Sequence, residues 1–153
     1  MLRVLITGSK GFIARNLISH LSESKDIQII SFSRENTIED LSELISNIDF
    51  VFHLAGVNRT NRKKDFKEGN HDLTESLCNA LALYKRKIPL IFASSTLVNQ
   101  NNDYGKSKLS AEKIINNYAE NTGSDVFIYR FPNLFGKWSK PNYNSVVATF
   151  CNN

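Results

Sequence analysis

The chain has 153 residues, 41% of them hydrophobic and 22% charged, with a formal charge of +4. That composition fits one compact globular domain able to bury a real core, and excludes a low-complexity or disordered chain. No apolar run is long enough to span a bilayer, so no membrane partner is expected, and so small a charge does not argue for nucleic acid. Cys78 and Cys151 make no disulfide framework or metal pattern. Cys78, among Leu77, Ala80 and Leu81, reads as a buried, reduced helix cysteine. No secretory segment is visible, because Arg3 and an early glycine turn interrupt the N-terminus. The cytoplasm follows as the default.

In chain order, Val4, Leu5 and Ile6 form a short apolar run that predicts a buried parallel strand. Gly8 and Gly11 then allow a tight turn, and Ala14 supplies a small residue where the next helix must pack on the strand. A strand, a Gly-x-x-Gly turn and an apolar helix together predict a dinucleotide site, with free N–H groups of the helix start facing a pyrophosphate. Thr7, Gly8, Lys10, Gly11, Phe12 and Ile13 are the candidate cofactor-binding residues of this turn.

Ile27 to Phe32 predicts a second strand. Cofactors lacking a 2′-phosphate are usually held by an acid at its end; here Ser33 and Arg34 stand there. Arg34 can pair with a 2′-phosphate, so NADPH is favoured over NADH, with a plain surface arginine as the alternative. Thr37 to Ser46 predicts a helix and Phe50 to Leu54 a strand. The basic run from Arg59 to Lys67 reads as a solvated loop and helix start, or as an electrostatic aid to phosphate binding. Gly69 to Tyr84 predicts a long helix, with Lys85, Arg86 and Lys87 complementing its C-terminus.

Pro89 opens a strand over Leu90 to Ala93, followed by three hydroxyls, Ser94, Ser95 and Thr96. Tyr104 to Asn121 predicts a helix, Val126 to Phe131 a strand, and Ser145 onward another helix. Tyr104 and Lys108, four residues apart, fall on one helical face. A nearby cation is expected to lower the phenol's pKa, which suits proton transfer to a substrate oxygen. The alternation of strands and helices predicts an α/β, Rossmann-like, doubly wound parallel sheet with helices on both faces. His20, His53 and His71 lie on separate elements, so no metal site is expected, and His53 reads as a packed core histidine. Trp138 is either a sugar-stacking platform or a cover for the core.

Gly8-x-x-Gly11-x-x-Ala14, His53-Leu-Ala-Gly56, Ala93-Ser-Ser95, Tyr104-x-x-x-Lys108 and Arg130-Phe-Pro-Asn133-Leu-Phe-Gly136 occur in the order found in extended short-chain dehydrogenase/reductases, which the chain resembles over nearly its whole length. The stretches from His53 to Arg59 and from Arg130 to Phe150 are similar to capsular-polysaccharide reductases of the CapF/WbjC type. The resemblance implies NADPH-dependent reduction of the C4 ketone of a UDP-2-acetamido-2,6-dideoxy-hexos-4-ulose, in UDP-N-acetyl-L-fucosamine synthesis. It implies Tyr104 as proton donor, Lys108 on the nicotinamide ribose, and Ser95, with Thr96 as the alternative, on the carbonyl oxygen. It places Leu54, Ala55, Gly56, Asn58, Ala93, Ser94, Phe131 and Asn133 along the cofactor, and Asn58, Arg59 and Asn133 toward the substrate. Asn70 takes a structural role. A homodimer through helices 69–84 and 104–121 is plausible on the same ground.

Two departures from the family pattern stand out. Only sixteen residues, Arg34 to Asp49, separate the second strand from the His53 strand. One helix fits there, so the third strand is expected to be shortened or absent. The family's sugar-nucleotide subdomain and metal-binding cupin domain also have no counterpart before Asn153. The expectation is a truncated substrate half, from a cut chain, a truncated gene or a remnant. The competing readings are a non-catalytic NADP-binding fragment and an NAD-dependent sugar-nucleotide epimerase or dehydratase.

Overall fold

The computed structural model describes residues 1–143 and 145–152. Its sheet has five parallel strands: β1 (Leu2–Thr7), β2 (Ile27–Phe32), β3 (Phe50–His53), β4 (Leu90–Ser95) and β5 (Val126–Phe131). They run in the order β2-β1-β3-β4-β5. Thr7 therefore pairs with Phe32 on one side and His53 on the other. The chain winds outward to β2 and then returns past β1 to β3, so the strand order reverses between β1 and β3. The crevice at the carboxyl ends of strands at such a reversal is where ligands bind in open α/β sheets.

Six helices accompany the sheet among the described residues: α1 (Phe12–Leu21), α2 (Ile38–Ile45), α3 (Lys63–Phe66), α4 (Leu73–Leu83), α5 (Asp103–Thr122) and α6 (Val146–Asn152). One face of the sheet packs Val4 and Ile6 against Ala14 and Leu17 of α1. The other packs Leu5, Val51, Leu90 and Phe92 against Leu41, Leu77, Leu81, Ala111 and Ile115 of α2, α4 and α5. Between β2 and β3 there is one helix and no strand, as the spacing requires. Thr37 and Asp40 cap α2 reciprocally, Thr37 N–H donating to Asp40 Oδ2 (2.8 Å) and Asp40 N–H to Thr37 Oγ1 (3.3 Å). Leu41, Ile45 and Ile48 are fully buried, so this single helix closes the core that a longer crossover would otherwise cover.

The long helix expected from Gly69 begins earlier. α3 passes through a π-helical segment, Lys67–Asp72, directly into α4. The basic run is a loop followed by its first turns; Arg62 pairs with Asp65 (3.1 Å), Lys64 with Glu68 (3.1 Å) and Lys67 with Asp72 (3.0 Å) on the same segment, while Lys63 reaches Asp103 of α5 (3.3 Å). The five-residue spacing of Lys67 and Asp72 matches the wider π turn.

His53 is wholly buried, and both of its ring nitrogens are hydrogen-bonded, to Thr7 (2.7 Å) and Thr74 (2.8 Å). Burial lowers its pKa to about 3, helped by the Lys108 charge. A histidine free in the unfolded chain titrates near 6.5, so the unfolded state binds the extra proton between those values. The stability this contributes is complete above pH 6.5 and is lost as the pH falls toward 3. Denaturant titrations across this window should show a slope of up to about 1.4 kcal/mol per pH unit from this group. Direct NMR titration of the His53 ring should show it neutral in the folded protein at pH 5; a ring protonated there would contradict the buried neutral state.

Candidate active site

β1 ends at Thr7 and the chain turns sharply through Gly8, whose φ is +67°. A side chain there would be strained, and its Cβ would lie 2.7 Å from the Cα of Ala55 in the loop after β3. The turn closes with Gly11 N–H donating to the Gly8 carbonyl (2.7 Å). Gly11 caps α1 without a side-chain hydrogen bond, and the first turn of α1 carries no acid. The N–H groups that open α1 are thus left for an anion. Ala14 is buried against Val4 and Ile6, as its small size anticipates.

At the end of β2 the loop is braced internally, Ser33 N–H donating to Asn36 Oδ1 (2.9 Å) and Glu35 N–H to Ser33 Oγ (3.3 Å). Arg34 is exposed and makes no ion pair among the described residues. Its neighbour Glu35 pairs with Lys10 of the glycine turn. Sequence reasoning overlooked Glu35. The available signal was an acid placed within three residues of β2's end.

Three strand ends and α5 bring the chemistry-bearing side chains together. Ser95 closes β4, is buried, and accepts from Leu97 N–H (3.1 Å). Tyr104, in the first turn of α5, donates its phenol to Asn58 Oδ1 (3.3 Å) and meets the edge of Phe66, with ring centroids 5.9 Å apart. Thr96 is exposed and its hydroxyl turns toward the Phe131 carbonyl (3.5 Å). Ser94 points the other way, donating to Glu112 Oε1 at 2.5 Å.

Lys108 is buried. Its ammonium donates to the Ala93 carbonyl (2.6 Å), lies 4.3 Å from the Phe92 ring centroid and sits beside Gly56. Burial brings its pKa down to about 8, and the Glu112 carboxylate opposes that fall. Glu112 is itself pushed up by burial, but the fork of Arg130 (3.0 and 2.7 Å) and the Ser94 hydroxyl outweigh this and hold it ionised. This Arg130–Glu112–Ser94 support was missed in the sequence.

The expectation that Lys108 lowers the Tyr104 pKa is overturned. Burial raises the phenol above its usual value, and the opposing influence is the Ser95 hydroxyl, not Lys108. Four-residue spacing sets both groups on one face, but the ammonium is drawn to the Ala93 carbonyl and the Phe92 ring.

The remaining candidates are more dispersed. Asn58 and Arg59 are exposed in the loop after β3, and Arg59 donates to the Asn142 carbonyl (3.2 Å). Asn133 is exposed just beyond β5, and Phe131 is half-buried. Leu54 packs with the α1-side core and Ala93 is buried in β4. Trp138 belongs to neither core cluster; the Arg15 guanidinium of α1 lies 4.7 Å from its ring centroid. Asn16 also holds the Lys137 carbonyl (2.8 Å), so the segment after β5 is tied to α1. Asn70 is buried and structural: it grips both backbone groups of Val57, at 2.8 and 3.1 Å, and the Ser107 hydroxyl at 2.9 Å.

Gly105 has a role the sequence did not suggest. A Cβ there would lie 2.5 Å from the Leu97 carbonyl oxygen and 2.6 Å from that of Gln100, so α5 starts in direct contact with the turn that carries Ser95 forward. Gly105→Ala should cost about 1–3 kcal/mol in urea unfolding, because backbone must move on one side or the other. A loss under half that would mean the two segments are not in register.

The NAD dependent epimerase/dehydratase family model matches residues 4–153. A Pseudomonas aeruginosa protein named UDP-2-acetamido-2,6-beta-L-arabino-hexul-4-ose reductase is 49% identical over 99% of this chain, which spans 41% of that protein's length. The crystal structure of the capsular polysaccharide assembling protein CapF from Staphylococcus aureus superposes with a TM-score of 0.83 at 44% identity, over 97% of this chain and 40% of that one. A UDP-glucuronic acid 4-epimerase from Bacillus cereus, solved with NAD, shares the fold with a TM-score of 0.82 at 21% identity, over 92% of this chain and 60% of its own. The chain therefore belongs to the NAD dependent epimerase/dehydratase family.

Proposed function

We propose that this chain is the cofactor-holding part of an NADPH-dependent reductase acting on the C4 ketone of a UDP-2-acetamido-2,6-dideoxy-hexos-4-ulose, in capsular-polysaccharide precursor synthesis. The observation that carries the reading is that the Ser95 hydroxyl lies close enough to Tyr104 to act on its phenol, in a chain 49% identical to a protein named as a reductase of such a sugar. The glycine turn fits a dinucleotide, since Gly8 lies against Ala55 with no room for a side chain and α1 opens without a side-chain cap.

The nicotinamide cofactor, when bound, supplies hydride to the ketone carbon. Tyr104 donates its phenolic proton to the ketone oxygen as the alcohol forms. A phenol is protonated at neutral pH, the state a proton donor requires; burial raises the Tyr104 pKa and the Ser95 hydroxyl opposes that rise. Ser95 hydrogen-bonds the same oxygen and fixes its direction. Lys108, with a pKa of about 8, is mostly cationic at neutral pH and holds the nicotinamide ribose hydroxyls. Arg34 faces the 2′-phosphate and distinguishes NADPH from NADH. Asn58, Arg59 and Asn133 face the substrate. The protein works in the cytoplasm, as a homodimer through the faces of residues 69–84 and 104–121; among the described residues no helix is long and apolar enough to cross a membrane.

NADPH oxidation with the UDP-4-keto sugar tests the reading. Tyr104→Phe should lower turnover by about 10²–10⁴ while leaving NADPH affinity near that of the unaltered protein. NADPH binding without turnover would favour a non-catalytic nucleotide-binding role, and co-purified, tightly held NAD would favour an epimerase. Calorimetry with both cofactors tests Arg34: NADPH should bind more tightly, and Arg34→Ala should remove most of the difference. Equal affinities in the unaltered protein would remove Arg34 from the account.

A further inference from the structure

One hydrogen-bonded chain runs through the core from the cofactor turn to the proton-donor helix. Ala55 N–H donates to Thr7 Oγ1 (3.2 Å), which lies 2.7 Å from His53 Nδ1. His53 Nε2 lies 2.8 Å from Thr74 Oγ1, whose hydroxyl donates to the Asn70 carbonyl at 2.5 Å. The Asn70 end settles the protons along the chain. A backbone N–H can only donate and a carbonyl can only accept. Thr74 spends its one proton on Asn70, so it must accept from His53 Nε2–H. A neutral ring then has a bare Nδ1, which accepts the one proton of Thr7.

The far end of this chain lies in the π-helical segment Lys67–Asp72. There the Asn70 side chain grips Val57 and Ser107, and Ser107 donates to the Tyr104 carbonyl (2.7 Å). We infer that His53, as the neutral Nε2–H tautomer, is a positioning residue: through Thr74 and Asn70 it registers the π turn, the Val57 loop and Tyr104 against the glycine turn. It touches neither cofactor nor substrate. A ring of the opposite tautomer would confront Thr74, whose one proton is given to Asn70, with a second acceptor, and the chain would break at that joint.

The role in cofactor binding rests on the dinucleotide reading above; the proton order does not. ¹⁵N NMR of the unaltered protein should show His53 Nε2 carrying a proton and Nδ1 bare. Thr74→Val, similar in shape but without the hydroxyl, leaves Nε2–H unpaired and removes the side-chain bond to the Asn70 carbonyl. It should weaken NADPH binding about tenfold and shift the His53 ring resonances, and Thr74→Ser should restore both. An Nδ1–H tautomer, or a folded Thr74→Val protein that binds NADPH as the unaltered one does, overturns the inference. Should Thr74→Val not fold, the tautomer of the unaltered protein decides. An unaltered protein that binds no dinucleotide defeats the proposed function instead, and the tautomer still decides the proton order.

Discussion

The approach of the β1 turn to the β3 loop is the constraint from which the rest of the site follows. Gly8 and Ala55 meet so closely that no side chain fits between them, and Thr7 ties the two segments through Ala55 N–H and His53. The strand order reverses between these two strands, where Gly8 meets the Ala55 backbone. A helix that opens at such a reversal without a side-chain cap offers its first N–H groups to a pyrophosphate. With the turn fixed, the ends of β3 and β4 and the start of α5 fall at set distances around it.

The second feature is a charge kept indoors. Lys108 is buried over Phe92 and bonded to the Ala93 carbonyl, while Glu112, held by Arg130 and Ser94, offsets part of its desolvation. That support fixes where the ammonium can reach. The two motif residues have separate partners: the Lys108 ammonium holds the Ala93 carbonyl, while burial raises the Tyr104 phenol and the Ser95 hydroxyl opposes that rise.

Much of the fold was legible because its signals are local. Val4, Leu5 and Ile6 announce a buried strand, Gly8, Gly11 and Ala14 the turn and the helix beyond it, and the short stretch from Arg34 to Asp49 the missing strand. What escaped depended on contacts between distant residues. Gly69 looked like a helix start, yet the helix was already under way, stabilised by Arg62–Asp65 and Lys64–Glu68 pairs and widened into a π turn. Gly105 reads as an idle position inside Tyr104-x-x-x-Lys108 until the Leu97 and Gln100 carbonyls are seen against it. Glu112 looks like a solvent-facing helix acid, and only the end of β5 brings Arg130 to it. The phenol's pKa was misjudged for the same reason: spacing fixes a helical face, not the direction of a long side chain.

The proposed reduction requires Tyr104 and Ser95 to face a ketone whose carbon receives hydride from a nicotinamide cofactor. The most direct measurement is isotope transfer: purified protein, deuterium-labelled NADPH and the UDP-4-keto sugar, with the product analysed by mass spectrometry. One deuterium should be carried to C4 of the sugar, and the transfer should be abolished or strongly reduced in Tyr104→Phe. Saturating NADPH binding with no label in the sugar would contradict it.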